Sequence, residues 1–234
     1  MEALIVSGLS RMGLSVPGER AGRLARYGEL LLEQNRVMNL TAITDPAEVA
    51  TLHMLDCAAL LNCLPLAGKR LLDVGTGAGF PGLVLKTLEP TLELTLLDSL
   101  QKRLDWLAQV ARELELTGVH ICPGRAEEEG HRPQLRECFQ VVTARAVAEL
   151  RILCELTLPF VAVGGHLLAM KSVRPRELEE AQGAMTVLGG RLADCRDYTI
   201  PHTDVTHRVV VVEKVSPTPP TYPRRWARVQ KSPL

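Results

Sequence analysis

Neither sign of charge is in excess in this sequence: 27 Lys and Arg stand against 27 Asp and Glu among 234 residues. A protein that engages nucleic acid over its whole surface carries a basic surplus, so any RNA-binding surface here has to be local. Uninterrupted apolar runs of about 18 residues are missing too. The richest stretch, 150–170, is cut by Glu155, Pro159 and the Gly164-Gly165 pair, which argues against a membrane protein. Residues Met1 to Met12 hold one acid, a late Arg and a brief apolar run, not the basic, apolar, small-residue layout of a signal peptide. A cytoplasmic chain is expected. Its six cysteines, Cys57, Cys63, Cys122, Cys138, Cys154 and Cys195, form no Cys-x-x-Cys pair and no cluster with His at zinc-ligand spacing. Reduced thiols and no metal centre follow.

What is present is a 46% hydrophobic composition, enough for one sizeable core with a small extension. Residues 1–66 read as a helical extension. Pro17 to Asn35 carries Leu24, Tyr27, Leu31 and Leu32 on one side of a helix. A second helix is announced by Asp45 as N-cap, Pro46 at the first helical position and Glu48 three residues after the cap. From Arg70 the texture changes to short apolar runs at 71–74, 93–97, 119–122, 141–144 and 167–170, separated by amphipathic stretches. That alternation predicts a mostly parallel sheet covered by helices on both faces. Ser99 is expected to cap the helix carrying Leu104, Leu107, Val110, Ala111 and Leu114. After a charged helix at 176–188 come strands near 192–199 and 209–212 with no helix between them. Such a hairpin adds an antiparallel last strand, the pattern of a Rossmann-like methyltransferase core over 67–215 rather than of a dinucleotide dehydrogenase. Residues 216–234, rich in Pro and Arg, read as an extended surface tail.

The densest signal is Leu71-Leu72-Asp73-Val74-Gly75-Thr76-Gly77-Ala78-Gly79-Phe80-Pro81-Gly82, a strand running into a glycine-rich turn and a helix. Bare backbone at Gly75, Gly77 and Gly79 allows a sharp turn and close approach of a ligand. Gly77 to Gly82 also matches the dinucleotide fingerprint, a weak signal alone, which keeps an NAD-linked oxidoreductase as a remote alternative. The triplet Gly75-x-Gly77-x-Gly79 set directly against the strand, with Asp73 before it, favours S-adenosylmethionine (SAM). Asp98 ends the second strand about 20 residues on, where a carboxylate can accept from both ribose hydroxyls. The third strand ends in Cys122-Pro123-Gly124-Arg125-Ala126-Glu127, so the backbone of Ala126 and the carboxylate of Glu127 fall beside the adenine.

Several segments together resemble the GidB family of ribosomal RNA methyltransferases, which modify N7 of a guanosine in bacterial 16S rRNA. They are Asn35-Arg36-Val37-Met38-Asn39-Leu40-Thr41, His53-Met54-Leu55-Asp56, the turn 73–82, and Leu96-Leu97-Asp98-Ser99 with Lys102-Arg103. Arg125-Ala126-Glu127, Thr143-Ala144-Arg145-Ala146, Ala169-Met170-Lys171, Tyr222-Pro223-Arg224 and Lys231-Ser232-Pro233-Leu234 complete the series. The resemblance spans nearly the whole chain. It implies Gly75, Phe80, Ala126, Glu127 and Arg145 as cofactor-site positions, Asp98 as the ribose acid, and 16S rRNA or the small ribosomal subunit as partner, with no membrane and no obligate protein partner. The chain departs from the family at Gln140, where an Asp is usual, at Thr206-His207-Arg208, where a Glu-Arg pair is usual, and around Ala227 and Val229, where Gly and Pro are common.

N7 of guanine has an exposed lone pair and no proton, so its methylation needs positioning and no general base. Arg145 and Asn39 are the positioning candidates; for Asn39 a turn-stabilising role weighs equally. His53 and Asp56, one helical turn apart, are expected to tie helix to core. RNA-binding candidates are Lys171, His207, Arg208, Arg224, Arg225 and Arg228, with Lys214, Lys231, Lys102 and Arg103 near them and Trp226 available to stack on a base. A SAM enzyme acting on another RNA or a small molecule, and a ribosome-associated binding protein without activity, stay open as alternatives.

Overall fold

The computed structural model describes all 234 residues. Helix α1 (Glu2–Arg11) opens the chain, where the sequence shows only a brief apolar run; Ile5 and Leu9, one helical turn apart, are its buried side chains. Helix α2 (Gly18–Met38) follows and ends at Asn39, whose left-handed backbone (φ 46°) stops it. A composite helix then covers residues 46–62. Its first turn α3 (Pro46–Glu48) is capped as expected, the Asp45 carboxylate accepting from Ala47 and Glu48 N–H at 2.8 and 3.0 Å. A π-helical stretch (Val49–Leu55), α4 (Asp56–Ala58) and a 3-10 turn (Ala59–Asn62) continue it.

The core alternates as its apolar runs require: β1 (Arg70–Val74), α5 (Gly82–Leu88), β2 (Glu93–Asp98), α6 (Gln101–Glu113), β3 (Val119–Pro123), α7 (Ala126–Glu129), β4 (Phe139–Arg145), α8 (Leu150–Thr157), β5 (Val161–Ser172), α9 (Glu177–Val187), β6 (Gly190–Thr199) and β7 (Thr206–Lys214). One seven-stranded sheet has the order β3-β2-β1-β4-β5-β7-β6, with β7 antiparallel to both of its neighbours. The hairpin reading therefore holds, and β7 enters the sheet between β5 and β6. The carboxyl ends of β1, β2, β4 and β5 lie on one edge. Because β7 runs the other way, its first residues reach that same edge, where His207 pairs with Ser172 and Arg208 with Lys171.

On one face the N-terminal helices share a hydrophobic core with α5 and α6, through Leu24, Tyr27, Leu31, Met54, Leu83 and Leu107. The other face is filled by α8 and α9. Two local expectations fail. Ser99 does not cap α6; the Asp98 carboxylate accepts from Leu100 N–H at 2.9 Å and turns the chain into the helix. The tail is not wholly extended, because a short helix α10 (Trp226–Lys231) forms in it, anchored by fully buried Val229.

Candidate active site

Gly75, Gly77 and Gly79 all adopt positive φ, at 67°, 56° and 91°. The turn is held from below by Asp73, which is fully buried and accepts from Thr76 Oγ1 (2.6 Å), Gly82 N–H (3.0 Å) and Thr143 Oγ1 (3.0 Å). Burial pushes this carboxyl up to about 6, against the pull of those three donors. Tyr27 of α2 donates its hydroxyl to the Ala78 carbonyl, so the helical extension fastens the turn from outside. The Gly82 N–H at the start of α5 is taken up by Asp73 and does not face outward, so the helix end that a dinucleotide pyrophosphate would use is closed.

Beyond the turn lies a cleft of about 310 Å³ bordered by Gly75, Asp98, Ala126, Glu127 and Trp226. Asp98, 5% exposed, accepts from Gly77 N–H at 2.9 Å and has Arg103 at 3.8 Å. Gly75 needs its missing side chain, since a Cβ there would come within 2.8 Å of Val147. Gly77 and Gly79 shape the turn without lining this cleft. Gly79 is packed beneath it, against Tyr27 and Leu107.

A second, larger cleft of about 690 Å³ shares Ala146 and Val147 with the first. Arg145, at the end of β4, stands in its wall. Its guanidinium donates to the Leu52 carbonyl (3.2 Å), Asp56 Oδ2 (3.3 Å) and His53 Nδ1 (3.0 Å). It also lies 4.8 Å from the centroid of the Phe80 ring, on which His53 stacks. The far nitrogen of His53 bonds Thr41 Oγ1 at 2.8 Å. Burial, and then the Arg145 charge, drive this imidazole down to about 4, so it stays neutral. Asp56 is a hub: its other oxygen accepts from Tyr198 (2.6 Å) and His207 (2.8 Å), and that hydrogen bond raises His207. His53 and Asp56 thus tie helix to core by converging on Arg145.

Other singled-out residues fall elsewhere. Phe80 is a buried platform under Arg145 and His53, away from both clefts. Asn39 is exposed and outside them; Asn35 does the turn-stabilising, bonding Leu40, Thr41 N–H and the Thr41 carbonyl. Lys171 lines the larger cleft while bound to Glu177 and the Ala148 carbonyl, both at 2.7 Å. Arg208 is clamped on Asp197 and Arg224 on Glu155, so neither cation is unpaired. Arg225 and Arg228 are exposed. Trp226 faces the smaller cleft rather than standing out as a stacking platform on the surface. Arg174, which no motif marks, is exposed on the rim of the larger cleft with no ion-pair partner.

The family model described as GidB, rRNA small subunit methyltransferase G, matches residues 20–203. This chain belongs to the GidB family. A GidB relative, the ribosomal RNA small subunit methyltransferase G of Alkaliphilus metalliredigens (strain QYMF), is 42% identical over 99% of this chain and 98% of its own. The protein of that name from Streptococcus pneumoniae (strain ATCC BAA-255 / R6) is 43% identical over 97% and 96%. Among solved structures, the geranyl diphosphate C-methyltransferase of Streptomyces coelicolor, in complex with S-adenosyl-L-homocysteine, superposes with a TM-score of 0.55 at 14% identity. That match covers 68% of the GidB chain and 78% of the other, a likeness of fold. The GidB segments named from the sequence come together on one sheet edge: the turn, Asp98 and Ala126-Glu127 around one cleft, Arg145 and Lys171 around the other.

Proposed function

We propose that the protein transfers the methyl group of SAM to N7 of a guanosine in 16S rRNA. The observation that carries this reading is the pair of clefts meeting at Ala146 and Val147, one walled by a ribose-type acid and the other by cations. The residues of the smaller cleft fit the cofactor. Asp98 keeps one free lone pair on each oxygen, which would accept from the ribose hydroxyls, and Ala126 and Glu127, in the same cleft, would hold the adenine edge. When bound, SAM supplies an electrophilic methyl whose bond to sulfur breaks, the electron pair passing to sulfur, as the bond to nitrogen forms.

The chain's own part is positioning, which can lower such a barrier by about 7 to 11 kcal/mol. N7 has no proton to lose, so a neutral His53 and an Arg145 engaged with Leu52, Asp56 and His53 are no obstacle. Arg145 shapes the wall of the acceptor cleft through four neighbours. Arg174 and His207 are placed to hold phosphates flanking the target base, with Arg225 and Arg228 as further contacts. The test is to incubate the protein with methyl-labelled SAM and small subunits, or rRNA from cells lacking the modification, and map labelled nucleosides. Label at N7 of a single guanosine is expected; no transfer to either substrate overturns the reading.

A further inference from the structure

Resting on that reading, we propose that the C-terminal segment is a wall of the cofactor site, with the Trp226 indole as the aromatic face against which the adenine packs. Trp226 borders the same cleft as Asp98, Ala126 and Glu127, the ribose and adenine side, and does not line the larger, RNA-facing cleft. Its position is heavily secured. Two residues before it, Arg224 grips Glu155 with three bonds: its backbone N–H and Nε to Oε1, each 2.8 Å, and a terminal nitrogen to Oε2 at 2.6 Å. Glu155 is fully buried, and its neighbour Leu156 lines the cleft beside Trp226.

Upstream, one guanidinium threads the segment: Arg136 donates to the carbonyls of Thr218 (2.8 Å), Pro219 (3.2 Å) and Tyr222 (2.8 Å). His131, just beyond α7, bonds the Pro223 carbonyl at 2.7 Å. Glu137 accepts from Thr218 N–H at 2.7 Å, and Lys214 donates to the Thr218 hydroxyl at 2.7 Å. A solvated arm that gathers RNA has no need of a buried carboxylate and an arginine spent on its carbonyls. A wall that must stand at a fixed distance from a purine does. The indole is half-buried and lines the cleft, and an indole in such a wall can offer its π-face to a base.

Calorimetric titration with S-adenosylhomocysteine and with 5′-methylthioadenosine tests the assignment. The two share the adenosine half and differ in the amino-acid half. Trp226→Ala should weaken both by a similar factor, about tenfold or more, while Trp226→Phe keeps most of the affinity. Equal affinity of wild type and Trp226→Ala overturns the inference. No binding of either ligand by wild type overturns the cofactor reading beneath it instead. Should the alanine variant fail to fold, Trp106→Phe leaves Trp226 as the sole tryptophan. Its emission should change on adding S-adenosylhomocysteine, and emission that stays constant through a calorimetrically verified titration counts against the wall.

Discussion

At Asp98 each oxygen already accepts one backbone N–H, from Gly77 or Leu100, and retains a second lone pair for a ligand. Asp98→Asn puts an amide donor where one of those N–H groups points. Hydrogen bonds to a charged acceptor contribute about 1.5–3 kcal/mol, so affinity for S-adenosylhomocysteine should fall about tenfold or more in calorimetry. Unchanged affinity would remove Asp98 from the cofactor site. The two histidines beside Arg145 titrate in opposite directions. His53 is lowered to about 4, so its share of stability is present above the unfolded value of 6.5 and is lost as pH falls toward 4. His207 is raised by its bond to Asp56, so its share is full below 6.5 and is lost as pH rises through the higher folded value. Imidazole NMR titration should show His53 neutral throughout the range from 5 to 8 and His207 protonating above an ordinary histidine. His207→Gln should flatten the alkaline side of the stability profile. Motifs single out Asp98 and Arg145, which the fold sets in the walls of the two clefts, but not Arg174, whose only signal is an unpaired charge beside a cleft formed by distant segments.

Elements were legible where periodicity and caps agreed. Asp45-Pro46 marks a helix start by a local hydrogen bond, and each parallel strand is a short apolar run, so both could be read from neighbours in sequence. Helix α1 could not, because its Ile5 and Leu9 become a buried stripe only once the rest of the extension covers them. Ser99 failed as a cap because the helix begins one residue later, with Leu100 at the cap position, and Asp98 accepts from the Leu100 N–H. The helical turn at Trp226 rests on the Arg224–Glu155 contact, which joins residues 69 apart in sequence. Truncating Arg224 to Ala removes the charge partner of the buried Glu155 and leaves it only the backbone N–H of residue 224, a change that costs about 3 kcal/mol. A marked loss of denaturation midpoint is expected, and the double replacement Arg224→Leu with Glu155→Leu should recover part of it. If the single variant is as stable as wild type, the contact is not holding the segment.

For the whole molecule, the charge balance of 27 against 27 conceals an asymmetry that only the fold creates, since Arg145, Lys171, Arg174 and His207 arrive on one edge from three strands and a loop. Most of these are committed to internal partners, which leaves Arg174 as the free cation on the cleft rim. Arg174→Glu should therefore reduce methyl transfer to RNA and steepen its inhibition by salt while leaving S-adenosylhomocysteine affinity as it was. A parallel loss of cofactor affinity would contradict the division of labour between the clefts. The position of β7 between β5 and β6 has a consequence for synthesis. A chain made from its amino end exposes the bare edge of β5, and leaves β6 without its place, until residue 214 has emerged. The larger cleft lacks His207 until shortly before that point, and the smaller one lacks Trp226 until after it. Translation therefore supplies the last wall residue of each cleft only after the glycine turn, Asp98 and Arg145 have been made.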